Sequence, residues 1–550
     1  MTYALPTIDW NAFGQQFLYD PKNPLLFNNG FFLYFFGLFM ALYYIFRNQF
    51  AIRRYIFCFF SLYFFYKASG VFVAFVILSA IVDFILSNAI YRQKSKGGKQ
   101  ALLILSIVFN LGLLFYFKYT NFFIATANDL LKANFNPLNI LLPVGISFYT
   151  FENLSYTIDV YRGEFEPAKK FSDYLLFLSF FPKLVMGPIV RAHDFVPQIN
   201  KPFVLSNSDF SKGFYLIVSG MFKKLIISDY LTLNFVNFIF DDPARYSGLE
   251  NLMAVYAYAV VIYCDFSGYS DVAIGIAKWL GFNIPTNFLS PYQSASITEF
   301  WRRWHISLSS WLKDYLYIPL GGNRKASVGT FLFPLLFFVA MPLGLMQLLG
   351  ASLVVAISVS AGILLLFLLP GILKKDKAGI FTNMNLLVTM LLGGLWHGAS
   401  WNFIIWGAIH GIGLAIHKIW MMGPGKLFAK MKLQKFYNVL MAILTFHFVC
   451  FGWVFFKAHS FDDALNMLYQ ITNNLNFGLW KPFFDNYESV LALMLLAFVL
   501  HIIPDTFADK VLNKFKKTPM IVYLIIYIGF VLLYGYFKSA DPVMPIYLQF

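Results

Sequence analysis

The chain has 550 residues, of which 59% are hydrophobic and 13% charged, with a formal net charge of +15 and a mean hydropathy of +0.64. Ordinary soluble domains carry about 25% charged residues, so a water-soluble globular protein is excluded. The basic excess lies in short loops between apolar runs, as in Arg92-Gln93-Lys94-Ser95-Lys96-Gly97-Gly98-Lys99, which fits positive-inside membrane topology rather than nucleic-acid binding.

From the beginning of the chain, Met1 to Asn29 lacks the basic start and compact apolar core of a cleavable signal peptide, so the first span is expected to serve as an uncleaved targeting signal. Continuous apolar runs then follow at Gly30–Phe46, Tyr55–Tyr66, Val71–Ile90, Ala101–Phe117, Ile140–Val160 and Tyr174–Val190. More lie at Phe214–Ile227, Leu252–Leu280, Thr330–Leu349, Leu353–Leu373, Met384–His417 (two pieces), Val439–Phe456, Val490–Ile503 and Ile521–Phe537. Barrel strands alternate over about ten residues, whereas these runs do not. At about 20 residues per crossing they predict an all-α polytopic membrane protein with about 11–13 transmembrane helices.

Several runs are interrupted, notably at Leu142-Pro143-Val144-Gly145 and Met186-Gly187-Pro188. Irregular backbone at membrane depth is tolerated only where protein buries it or where it lines a cavity. Re-entrant and amphipathic pieces around a central tunnel are therefore expected. Placing Arg47, Arg53, Arg54 and the Arg92–Lys99 cluster in the cytoplasm puts the Lys67–Gly70 turn and the N-terminus outside. No repeat or low-complexity linker divides the chain, and a single membrane domain over 1–550 is expected. Cys58, Cys264 and Cys450 are each isolated in apolar sequence, which predicts neither a metal site nor a disulfide framework.

The run Ser296 to Pro319 is amphipathic. Ser296 and Glu299 have capping-box spacing, and Phe300, Trp304, Leu308, Trp311 and Tyr315 fall on one helical stripe. Arg302, Arg303, Ser309, Ser310 and Lys313 take the other side. One helix is predicted here, lying at the interface or closing a cavity, with His305 facing the protein.

The sharpest local signal is His397, in a stretch from Ala378 to His417 that contains no Asp, Glu, Lys or Arg. Ionisable groups at that depth usually serve a cavity or pathway, and imidazole exchanges protons near neutral pH. His305 and His397 are the candidates for chemistry. A break is expected at Gly393-Gly394, which together with the small residues Gly398-Ala399-Ser400 would let substrate approach closely. His410 and His417 share a helix face but have no third ligand at suitable spacing, so packing is expected and no metal. His447 reads as structural, and His193, His459 and His501 lie near segment ends. The buried charges Glu152, Asp159, Asp265, Asp271 and Lys278 either pair with one another or contact substrate.

Several longer motifs resemble the membrane-bound O-acyltransferase superfamily. They are Phe300-Trp301-Arg302-Arg303-Trp304-His305-Ile306-Ser307-Leu308-Ser309-Ser310-Trp311-Leu312, Tyr317-Ile318-Pro319-Leu320-Gly321-Gly322-Asn323-Arg324 and Gly394-Leu395-Trp396-His397-Gly398-Ala399-Ser400-Trp401-Asn402. Pro143–Phe151, Tyr156–Arg162, Phe180–Ile189 and Asp265–Asp271 agree with it too. The likeness covers about Pro143 to Phe456, with accessory helices at both ends, and is greatest to the bacterial branch of alginate O-acetylating and D-alanyl-transferring proteins.

The resemblance implies a multi-helix fold whose tunnel joins a cytoplasmic donor side to an outer acceptor side. It implies that His397 is the catalytic histidine and His305 the second functional position, with Trp304, Arg303, Trp396, Asn402 and Ser400 as substrate contacts. It further implies no resident cofactor, a donor that is acetyl-CoA or an acyl-carrier thioester, and residence in the bacterial cytoplasmic membrane. The expected partners are membrane lipid, a polysaccharide acceptor and a periplasmic or extracellular esterase-like (SGNH) acetyltransferase. The implied reaction is O-acetylation of an exported polysaccharide. D-alanyl transfer from an acyl carrier protein towards teichoic acid is the alternative, and a polysaccharide or lipid transporter the less favoured one.

Overall fold

The computed structural model describes residues 10–22, 24–27, 29–374, 377–425, 434–516, 518–537 and 543–548, and every regular element among them is helical. Nine helices among the described residues are long and apolar enough to cross a membrane, or ten if the bent pair Phe477–Asn486 and Glu488–Ile502 forms one span. The sequence predicted a few more. Gly30–Ile45 and Ile146–Arg162 are 16 and 17 residues long, and the 43-residue run Phe50–Arg92 is interrupted at Gly70, where φ is +61°. The helix pairs expected at 330–373 and 384–417 are present as Val328–Leu349 with Leu353–Lys374, and Lys377–His397 with Trp401–Trp420.

The chain packs as two compact units, Met1–Met221 with Tyr269–Pro285 and Phe515–Thr518, and Phe222–Gly268 with Thr286–Lys514 and Pro519–Phe550.

In the first unit, apolar helices meet through aromatic rings. Phe32, Phe35, Phe36, Phe39, Phe57 and Phe64 surround the Phe181 ring. Both expected interruptions occur. Gly145 has φ of +72° and sits so close that a Cβ would lie 2.5 Å from the Leu184 carbonyl oxygen; the helix therefore starts at Ile146. Near Gly187 the backbone is irregular, and Phe180 to Val190 is buried protein rather than a crossing. The charges in this unit pair, as burial requires. Lys183 meets Glu152, whose second oxygen accepts from the Val190 N–H at 3.2 Å, and Asp173 binds Arg54 at 3.1 Å. Asp83 accepts from Ser106, Asn110 and Thr157.

In the second unit, Lys377–His397 runs unbroken through Gly393-Gly394 and turns at Gly398–Ser400 into Trp401–Trp420. The expected break at the glycine pair is absent, and Gly394 and Gly398 serve helix contact instead. A Cβ on Gly394 would lie 2.2 Å from the Phe403 carbonyl oxygen, and one on Gly407 2.3 Å from that of Met390. A Cβ on Gly398 would meet the Phe403 ring at 2.0 Å.

The amphipathic run is also rearranged. Ser296 caps its start by accepting from the Glu299 N–H, but the predicted single helix divides into Ile297–Arg303 and Ile306–Leu312, followed by a wider turn at Lys313–Tyr317. At the break His305 takes a left-handed conformation, φ 44° and ψ 54°. The preceding loop accommodates this: the Leu289 N–H bonds to the Arg303 carbonyl at 3.0 Å and the Ile306 N–H to that of Asn287 at 2.9 Å. Backbone groups orphaned by the break are thus satisfied within the protein.

Candidate active site

The break points His305 inward, where it is completely buried. Its Nδ1 lies 3.2 Å from Asn287 Oδ1. That oxygen also accepts from the Ser307 N–H at 3.1 Å and the Ser307 hydroxyl at 2.9 Å, so the imidazole proton belongs on Nδ1. Nε2 is left as a buried lone pair with no hydrogen bond among the described residues. Burial holds this imidazole down at about 3, far below its ordinary value, because the charged form would lose its hydration. A neutral ring with an open acceptor nitrogen results.

His397 ends its helix, 4% exposed. It sits among Trp396, Trp406 and Phe456, with ring centroids 5.0, 5.0 and 5.3 Å away. A residue distant in sequence links the two histidines. The Tyr547 ring lies 5.5 Å from His397 and 6.0 Å from His305, and 4.4 Å from Phe266. Phe266 in turn meets the His305 ring edge-on at 4.5 Å, and Trp396 lies 6.2 Å from His305. Two imidazoles from separate elements therefore share one aromatic enclosure.

Beside that enclosure is a cavity of about 300 Å³, lined by Ser400, Asn402, Phe456, Tyr258, Asp265 and Ile546 among others. That is the lower end of the range for small-molecule pockets. Its polar wall includes the buried Tyr258 hydroxyl and Asn237 Oδ1, neither with a hydrogen-bond partner among the described residues. Phe456 belongs both to this wall and to the His397 cage.

The residues expected to contact substrate are distributed unevenly around this centre. Trp396 lies between the histidines, and Ser400 and Asn402 line the cavity. Asn402 also donates to the Ala458 carbonyl at 3.1 Å. Trp304 is 1% exposed and packs on Phe288, Phe300 and Trp453, away from the cavity wall. Arg303 is about a third exposed and pairs with Glu299 at 2.7 Å. The site also contains Asn287, Trp406, Phe456 and Tyr547, which sequence reasoning passed over.

The remaining histidines have local partners. His410 Nδ1 accepts from Trp301 Nε1 at 3.3 Å and His417 Nδ1 meets Thr298 Oγ1 at 2.9 Å. No group of three His, Cys, Asp or Glu among the described residues is arranged to hold a metal ion.

The profile of the membrane-bound O-acyltransferase family, MBOAT, matches residues 168–341. The peptidoglycan O-acetyltransferase of Helicobacter pylori is 32% identical over 435 residues, covering 74% of this chain and 71% of that one. The chain belongs to the membrane-bound O-acyltransferase family. This member is 36% identical over 441 residues to the probable alginate O-acetylase AlgI of Azotobacter vinelandii, covering 78% of this chain and 74% of that protein. Similarity to the teichoic acid D-alanyltransferase of Bacillus subtilis is lower, 25% over 331 residues, or 59% and 71% of the two chains. The chain is thus a multi-pass membrane O-acyltransferase.

Proposed function

We propose that this O-acyltransferase carries an acetyl group from a cytoplasmic thioester, acetyl-CoA or an acyl-carrier thioester, across the membrane for O-acetylation of an exported or cell-surface polysaccharide. The observation that carries the reading is the shared enclosure of His305 and His397 around Tyr547, beside a cavity with a polar wall. His397 acts as general base. It takes the proton of the acceptor hydroxyl as that oxygen attacks the thioester carbonyl, and returns it to the departing thiolate as the C–S bond breaks. A positioned histidine contributes about 10²–10⁴-fold to such a step.

His305 orients substrate. With its proton held on Nδ1 by Asn287, its Nε2 accepts a hydrogen bond rather than donating one to an oxyanion. The sidedness fits this scheme. Lys418, Lys426, Lys430, Lys432 and Lys435 fall in one stretch without an acidic residue, which favours the cytoplasm. The His397–Trp401 turn, at the other end of the Trp401–Trp420 helix, then faces the outer compartment from which alcohols arrive. A separate periplasmic or extracellular esterase-like partner completes transfer to sugar.

Acetyl is favoured over D-alanyl because the acetylating relatives are 32% and 36% identical and the D-alanylating one 25%. The test is glycan acetyl content in cells producing wild-type or His397→Ala protein, with membranes supplied with labelled acetyl-CoA. Loss of label with normal protein levels is expected. Wild-type acetyl content in the variant would remove His397 from the mechanism, and incorporation of D-alanine in place of acetate would replace the proposed cargo.

A further inference from the structure

The segment 543–548 enters the second unit and delivers Tyr547 to the two histidines, and one side chain anchors its backbone. Asp265 lies on the Gly248–Trp279 helix and is 1% exposed. Its Oδ1 accepts from Lys224 Nζ at 2.5 Å, and Lys224 also meets Asp229 at 2.8 Å. Its Oδ2 accepts from the Ile546 N–H at 2.9 Å. The adjacent residue, Phe266, packs its ring on Tyr547 and on His305. Two successive residues of one helix therefore grip the segment, one by its backbone and the other by its aromatic ring.

The charge arrangement explains why the grip is directional. Lys224 is shared between two carboxylates, Asp229 and Asp265, so one cation cannot satisfy all four oxygens. A buried carboxylate oxygen without a donor is costly, and a hydrogen bond to a charged group is stronger than one between neutral groups. The Ile546 N–H fills that place. Because the bond is to the backbone, it fixes where the next residue leaves the chain, and the next residue is Tyr547. Packing on both faces of an enclosure in turn restricts the imidazole rotamers on which proton transfer depends.

We propose that Asp265 is a positioning residue for acyl transfer: by clamping the Ile546 N–H it seats the Tyr547 ring against His305 and His397, making segment 543–548 a structural part of the catalytic centre. The inference rests on the acyl-transfer reading given above. It separates Asp265 into two tasks, one towards Lys224 and the other towards Ile546, and these can be tested apart. Ile546→Pro removes the N–H together with the Ile side chain and leaves Lys224, Asp229 and Asp265 unaltered. Ile546→Ala keeps the N–H and serves as its control. Asp265→Ala removes the acceptor while leaving Lys224 and Asp229 as a balanced pair.

The experiment uses the full chain in nanodiscs with labelled acetyl-CoA and its acceptor, measuring kcat and KM for the thioester. A second measurement follows position directly: p-benzoylphenylalanine in place of Tyr547 is photo-activated and the cross-linked peptides are identified. The expected result is that Ile546→Pro and Asp265→Ala each lower kcat about tenfold or more with little change in KM, and that the double variant is no worse than the lower single one. Ile546→Ala should keep most of kcat. Cross-links from position 547 to the peptides bearing Trp396–His397 and His305 should be strong in the parent and in Ile546→Ala, which keeps the N–H, and lost in Ile546→Pro and Asp265→Ala. Unchanged kcat, additive losses, or cross-links that persist would each overturn the positioning role. If His397→Ala abolishes transfer while Ile546→Pro and Asp265→Ala do not, only this inference fails; if His397→Ala has no effect, the acyl-transfer reading itself fails.

Discussion

The His397 imidazole stands edge-on to the Trp406 indole, with centroids 5.0 Å apart and planes at 88°. This contact ties the residue that ends one helix to the interior of the next, so the ring proposed as general base is held by the same hairpin that forms the fold. Chemistry and packing can be separated by substitution. His397→Gln keeps a polar side chain of similar size but cannot cycle a proton, and should lower kcat by about 10²–10⁴-fold with a melting temperature close to that of the parent. Trp406→Ala, at a position 1% exposed, should instead destabilise the protein by about 3–5 kcal/mol. Parallel acetyl-transfer assays and thermal melts distinguish the two.

A second expectation concerns Asn287, which accepts from His305 and twice from Ser307. Asn287→Asp places a carboxylate at the same 3.2 Å from Nδ1, and an opposite charge at that range favours the imidazolium. The His305 titration, held at about 3 in the parent, should rise, and the acid limb of the pH–activity profile should shift upward. If the profile of Asn287→Asp overlaid that of the parent, Asn287 would not control the protonation of His305.

The same burial has a consequence for stability. His305 titrates at about 3 in the folded protein against about 6.5 in an unfolded chain. Between these values the unfolded chain binds the extra proton, so the stability contributed by this group is complete above about pH 6.5 and falls as pH drops through the window. His305→Gln removes the titrating group, and its melting temperature should depend less steeply on pH between 6.5 and 4. An unchanged slope would mean that His305 reaches water in the folded state.

How much of this was visible in the sequence depends on the range of the interactions involved. The Met384–His417 region could be divided into two helices and His397 picked out, because absence of charge and a Trp-His-Gly motif are local signals. The Ser296–Pro319 stripe was read as one helix because periodicity registers side chains and not the loop that competes for their backbone. The carbonyl of Asn287 and the N–H of Leu289 take the groups freed at His305, and no pattern within 297–319 encodes them. Tyr547 was missed for a similar reason. It lies far along the chain from His397, in a stretch with no motif, and the contacts that bring it in, such as Asp265 to the Ile546 N–H and Phe266 to the Tyr547 ring, are long-range. Gly394 and Gly398 read as room for substrate, whereas Phe403 of the neighbouring helix takes that space.

That use predicts a steric result. A methyl group on Gly394 would lie 2.2 Å from the Phe403 carbonyl oxygen, and one on Gly407 2.3 Å from that of Met390. Neither neighbour is a flexible side-chain end, so the Lys377–His397 and Trp401–Trp420 helices would have to separate. Gly394→Ala and Gly407→Ala should each destabilise by about 1–3 kcal/mol. Activity should fall along with stability, since His397 lies one turn from Gly394. Gly97→Ala, where no atom lies within 4 Å, is the matched control and should leave the melting temperature near the parent value.

The last expectation separates charge from packing in the first unit, far in sequence from His305 and His397. Lys183 and Glu152 are 2% and 3% exposed and pair with one another, so neither has bulk water to fall back on. Lys183→Met leaves the Glu152 carboxylate with the Val190 N–H but without the ammonium that pairs with it. Breaking one half of such a pair costs about 3–5 kcal/mol, whereas replacing both halves with apolar groups of similar volume is often nearly neutral. Lys183→Met should therefore lower the melting temperature sharply, and adding Glu152→Leu should restore most of it. A double variant as unstable as Lys183→Met would show that the Glu152–Val190 bond, rather than the ion pair, holds the irregular Phe180–Val190 segment in place.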